Sequence, residues 1–428
     1  MNSRKEFANL KKRFLQLLIF LLPTQLGYHF WPSWAYVFGI RADYLAPTVY
    51  LTDVLLVSIV GIWFLERKAE KPAKEAVFIA VALSLLAIIN IGLAKVPPIA
   101  LFKWAKFFEV VLLAYLIKTD KKLDLYRVVL APLALSAALL LTIALGQFFL
   151  QHSLGGPFYY VGERAFNSGT PGISLYSILG HLRLRPYATF SHPNSMAGFF
   201  GVAALLLLAS FPGIKKGKGK GVLYLGAVSS LATLALAGSG AAYVAILVAG
   251  AAQYLIAKMR FSAVRTLTGV FWGTIFFALL LPFANTFLAD SGVSFSESLS
   301  QRLFLAEGAG RLFSKMPWLG YGANNFIVAL SSQKETLSSS WILQPVHNVA
   351  LLVLVEMGIV LFIIFTLYAN KVLNWLGRNS PAAAPAIIFI LLTGSFDHYW
   401  ITLQQNLLLL GVAFGVFLRP NTRKFLLN

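Results

Sequence analysis

The chain has 428 residues and a formal net charge of +20, with 58% hydrophobic and only 12% charged residues. Soluble domains carry about 25% charged residues, so an ordinary soluble enzyme is excluded, and 35 Phe, 16 Tyr and 9 Trp exclude a solvated disordered chain. No cysteine is present, which removes disulfides, thiolate nucleophiles and Cys-ligated metals. What remains is an all-α polytopic membrane protein, read as a single membrane domain over 1–428.

Apolar runs bounded by charge predict about twelve transmembrane helices, each of roughly 20 residues. In chain order they are 14–30, 47–65, 76–94, 99–117, 128–150, 188–211, 221–238, 240–257, 266–288, 347–369, 382–397 and 400–418. The first has a basic flank but no small-x-small cleavage site, and reads as an uncleaved anchor. Placing the N-terminus in the cytoplasm puts 25 of the 36 Lys and Arg on that side and nine on the other. The positive-inside rule then sets both termini in the cytoplasm. Gly238-Ser239-Gly240 turns the chain between the seventh and eighth spans. The basic loop Lys215–Lys220 lacks the strand and the Lys-Ser/Thr ending of a phosphate-binding loop, and nothing points to nucleic acid.

Two outer loops, 151–187 and 289–346, are long, and long loops often carry function. Both are expected to hold short interfacial helices on the extracytoplasmic face. ATP is not available there, so a substrate must arrive already activated.

The first loop carries Arg164, His181, Arg183 and Arg185 against one acid, Glu163, and runs through Ser191-His192-Pro193-Asn194 into a span. These residues fit a capped helix start with interfacial arginines, or an anion site, because guanidinium forks match phosphate oxygens. In the second loop, 300–313 reads as an amphipathic helix lying on or in the interface. Arg311 follows Glu307 by four residues and pairs with it locally. Arg302 has no acid three or four residues away, so it needs a partner from elsewhere: a ligand phosphate, or a distant acid such as Glu163. Pro317 to Phe326 is a Pro/Gly turn rich in aromatics, suited to an interfacial hairpin or a sugar-facing wall. His347, beside Asn348 at the mouth of the tenth span, is positioned to accept a hydroxyl proton. Glu356 lies within that span, where an acid marks a pathway or a pairing partner such as Lys103 or Lys106. Asp397-His398 ends the eleventh span and approaches the same mouth. No His-Glu-x-x-His, Gly-x-Ser-x-Gly or Asp-x-Asp pattern occurs, so neither metal nor cofactor is expected.

Taken together, Arg185–Ala197 (RPYATFSHPNSMA), Ala237–Ala241 (AGSGA), Arg302, Pro317–Phe326 (PWLGYGANNF) and His347–Gly358 (HNVALLVLVEMG) resemble the O-antigen ligase and polymerase superfamily of bacterial membrane glycosyltransferases. The resemblance implies transfer of a glycan from undecaprenyl pyrophosphate to an acceptor hydroxyl, without metal, at the outer face of the plasma membrane. The partners it implies are the lipid-linked donor, a lipid-anchored or glycan acceptor, and membrane lipids. By motif, Arg185, with Arg183 as substitute, and Arg302 bind the pyrophosphate, and His347 orients or deprotonates the acceptor. His192, Asn194, Asn348 and Glu356 complete the expected substrate-binding set. The superfamily often carries arginine after the serine of its AGS motif, whereas Gly240 stands here. The superfamily does not separate a ligase from a polymerase. A multispan transporter or flippase of envelope glycolipids, using Glu356, Lys103 and Lys106, is the reading from a different class.

Overall fold

The computed structural model describes residues 2–66, 74–214, 217–285, 297–333 and 343–419. Parts of the second long loop (286–296 and 334–342) lie outside the described residues, as do Arg67, Lys68, Lys71, Lys215, Lys216, Arg423 and Lys424 of the basic loops. The protein is mostly helical. Its helices are α1 Asn2–Phe20, α2 Leu51–Glu66, α3 Lys74–Gly92, α4 Pro97–Thr119, α5 Ala131–Leu150, α6 Pro193–Ser210, α7 Lys218–Leu236, α8 Gly240–Lys258 and α9 Ala263–Leu280. They continue with α10 Glu297–Lys315, α11 Phe326–Ser331, α12 Val349–Asn379, α13 Ala384–Gly394, α14 Tyr399–Thr402 and α15 Gln404–Phe417.

Every expected apolar run contains a helix. Among the described residues, seven helical segments are long and apolar enough to cross a membrane. The rest are shorter, or carry charge as α4 does with Lys103, Lys106 and Glu109. The first run departs most from expectation. Helix α1 stops at Phe20, and residues 27–50 form a small cap of hairpins instead of more helix. Strand β1 (Gly27–His29) pairs with β4 (Thr48–Tyr50), and β2 (Tyr36–Val37) pairs with β3 (Ile40–Arg41). Aromatic and β-branched residues alternate here with Pro and Gly, which suits hairpins better than helix.

The first long loop also departs from expectation. It holds a 3-10 turn at Gly156–Val161 and a hairpin of β5 (Leu175–Ile178) and β6 (His181–Leu184), not interfacial α-helices. The second loop does contain the expected amphipathic helix, α10. Its apolar face packs against the protein. Leu305, Ala306, Ala309 and Leu312 join the main core, and α10 packs on α12 and on residues 281–283.

Helix α6 runs through the interior, with Phe199 and Phe200 fully buried. At Gly198 and Gly201 the rings of Tyr399 and Phe389 lie where a Cβ would sit, so α13 and α14 approach closely. In lipid, such small-residue packing holds helices together better than apolar burial does.

The turn at 317–326 is an internal clasp, not a sugar-facing wall. Helix α12 breaks at Gly358, whose φ is 69°. The backbone groups freed by the break are taken by the turn. Tyr321 and Gly322 N–H donate to the Val355 and Glu356 carbonyls, at 3.2 and 2.8 Å. Ile359 and Val360 N–H donate to the Pro317 and Trp318 carbonyls, at 2.8 and 3.3 Å. Gly320, also at φ 69°, lies backbone-to-backbone against this kink. Side chains at either glycine have no room, and the left-handed φ disfavours them as well.

Candidate active site

The candidate site forms where α6, α10, α12 and the α13–α14 connection converge. Asn348 caps α12: its Oδ1 accepts the Leu351 N–H at 2.9 Å and its Nδ2 donates to the Ser395 carbonyl at 3.0 Å. Both halves of the buried amide are therefore committed, and they fix His347, the preceding residue, beside Ser395–His398. The His347 and His398 rings meet edge to face at 5.0 Å. Asp397 lies between the elements. Its carboxylate accepts Asn194 Nδ2–H at 3.1 Å and the His398 N–H at 2.8 Å.

Burial alone pushes the Asp397 carboxyl up. The imidazoles of His398, His347 and His192 and the Asn194 amide outweigh that and hold it at about 2. Burial lowers His347, against the pull of Asp397 and with help from the Arg302 charge. Burial also pushes His398 down to about 3. A carboxylate thus sits among neutral imidazoles at neutral pH, which suits a histidine that must take up a proton and then be stabilised as the cation. The Nδ1 of His347 is buried and has no hydrogen-bond partner among the described residues, whereas His398 Nδ1 is hydrogen-bonded with Thr402 Oγ1 at 2.8 Å.

The arginines divide sharply. Arg302, half-buried on α10, makes no hydrogen bond or ion pair among the described residues, yet its charge is felt at both His347 and His192. Glu163, the distant acid considered for it, is committed elsewhere: it accepts from Gln147 and from the Leu154 and Gly155 N–H groups, all at 2.7 Å. Arg185 is engaged through all three of its nitrogens. Its Nε donates to the Ala237 carbonyl at 2.8 Å, Nη1 to Ser174 at 2.9 Å and Nη2 to Asn194 at 2.7 Å. It thereby ties the AGSG turn, where Gly240 replaces the superfamily's common arginine, to the amide that holds Asp397. Gln147 places this stretch of chain, exchanging hydrogen bonds with Tyr187, Ala188 and Glu163.

Arg183 is exposed on β6, away from these contacts. His192 caps α6 through Nδ1, accepting the Asn194 N–H at 3.1 Å. Glu356 stands apart from the histidines and accepts the Phe326 N–H at 3.3 Å within the clasp. Lys106 pairs with Asp53 and, at 3.6 Å, with Glu109. Of the three residues of the solute-path reading, Glu356 and Lys106 are held by internal bonds, and Lys103 is not.

Asp397 and His398 join the candidate site although the sequence placed them only near the same mouth. Their signal was an acid and an imidazole closing the eleventh apolar run, without a motif around them. Ligand atoms of His347, Asp397 and His398 lie within 4.8 Å of one another, so the three are also close enough to share a cation. Arg164, exposed, donates to the Ser191 carbonyl at 2.8 Å and adds a cation beside His192.

No curated protein matches the chain. Residues 225–366, which contain Arg302, the clasp and His347, match the family model described as O-antigen ligase. That match supports membership of the O-antigen ligase and polymerase superfamily and a glycosyltransferase-like ligase or polymerase of the membrane.

Proposed function

We propose that the protein is an O-antigen ligase-type glycosyltransferase of the bacterial plasma membrane, with twelve spans, cytoplasmic termini and an extracytoplasmic active site. It passes a glycan from undecaprenyl pyrophosphate to an acceptor hydroxyl without a metal. The observation that carries this reading is that the charge of Arg302, a half-buried arginine without a hydrogen bond or ion pair among the described residues, reaches His347, whose buried Nδ1 also lacks a partner among them. In the reaction the acceptor oxygen attacks the anomeric carbon while the bond from that carbon to the pyrophosphate oxygen breaks. His347 takes the hydroxyl proton, and Asp397 stabilises the resulting imidazolium. Arg302 neutralises the charge that grows on the departing pyrophosphate. Arg185, Asn194 and Asn348 position these groups, and Arg183 and His192 meet the donor at the rim.

The test is transfer in proteoliposomes supplied with a lipid-linked glycan, reading released undecaprenyl pyrophosphate. Wild type should release it and His347→Ala should not. Full release by the variant would remove His347 from the reaction. Extension of a second lipid-linked unit, instead of transfer to a lipid core, would identify a polymerase.

A further inference from the structure

A cavity of about 400 Å³ adjoins the histidine cluster. Tyr44 and Thr402 line it, and both touch His398, through a ring contact at 5.3 Å and a hydrogen bond at 2.8 Å. Its wall includes Lys103, which is only 8% exposed. Among the described residues, Lys103 has no hydrogen bond and no carboxylate within 4.0 Å. The Phe107 ring lies 5.6 Å from its ammonium. Glu356 acts on it only from beyond contact distance and is occupied by the Phe326 N–H. Lys106, three residues on, has Asp53 and Glu109. Of the acids in the wall, Glu163 is engaged three times over and Asp43 is exposed.

A buried ammonium without a counter-charge is disfavoured unless a ligand supplies one. Tyr50, Phe102 and Tyr159 give the same cavity aromatic walls of the kind that cover sugar faces. We infer that this cavity is a subsite for an acidic saccharide unit, one bearing a carboxylate or a phosphate, whose anion seats on Lys103. The saccharide part rests on the glycosyltransferase reading; the anion part rests on Lys103 alone.

The test uses the full chain in detergent and saturation-transfer NMR, with glucuronate, glucose 1-phosphate, glucose and inorganic phosphate as probes. At least one acidic sugar should give a signal several-fold above glucose. That signal should vanish in Lys103→Met and persist in Lys103→Arg, and the probe that responds identifies carboxylate or phosphate as the anion. Lys103→Met without ligand should melt no lower than wild type, since it removes an uncompensated charge. Equal signals from glucose, full binding by Lys103→Met, equal displacement by inorganic phosphate, or a lower melting temperature for Lys103→Met would each overturn the inference. Binding is read without turnover. A chain that binds acidic sugars but transfers no glycan would therefore sink the transferase reading and leave the subsite standing.

Discussion

Arg185 and Arg302 carry the same side chain toward the same cluster, and motif reasoning assigns both to the pyrophosphate. Arg185 spends three N–H groups on Ala237, Ser174 and Asn194, whereas Arg302 spends none among the described residues. The first region is satisfied and holds its shape without a ligand. The second keeps a cation beside His347, whose own Nδ1 lacks a partner among the same residues. Buried polar groups are nearly always paired, so the exceptions mark where a substrate completes the structure.

The largest effect should separate the two arginines. Arg302→Ala is expected to lower transfer by about 10²–10³-fold with an unchanged melting temperature, because it removes charge stabilisation and no protein bond. Arg302→Lys should recover only part of the rate, since the ammonium lacks the fork. Arg185→Ala should lower transfer and stability together, by roughly 3 kcal/mol, because three partners lose a charged donor. Tryptophan-monitored melting measures this. A fully stable Arg185→Ala that has lost transfer would make both arginines ligand contacts and erase the contrast.

Acidity gives a smaller effect. His398 stays neutral in the folded protein down to about 3, while the unfolded chain takes up that proton near 6.5. The unfolded state thus binds more protons across this window, so stability falls as pH drops through it, by up to about 1.4 kcal/mol per unit. The slope should flatten in His398→Gln. Because His347 is also lowered, the acid limb of transfer should lie below the ordinary histidine range. The smallest expected effect is none at all: chelators should leave the transfer rate unchanged if Arg302 carries the leaving-group charge. Loss of activity on chelation would reassign His347, Asp397 and His398 to a cation.

The helices were legible because apolar runs of span length have few other uses, and each of the twelve runs holds one. The amphipathic stripe of α10 was legible too, and so was its Glu307–Arg311 pair, found at 2.6 Å. The cap of hairpins was missed because Tyr28 and Val49 are apolar enough to extend a span on paper, while their pairing across β1 and β4 is a contact between distant residues. The clasp was visible only as glycines and a proline. Its use depends on Gly320 meeting Gly358, 38 positions apart in the chain. At the candidate site, His347 and Arg302 stood out locally, one by its place at a helix mouth and the other by the absence of a neighbouring acid.

Composition alone determined that this chain carries several helices apolar enough to cross a membrane, because lipid excludes charge wherever the partners sit. Tertiary structure decided which polar groups are already satisfied. Arg185 reaches Ala237, 52 positions away, and Glu163 reaches Gln147, 16 away, while Lys103 and Arg302 have no hydrogen-bond or ion-pair partner among the described residues. No local pattern records that difference, because pairing in three dimensions depends on which backbone carbonyls and amides the fold brings within 3 Å.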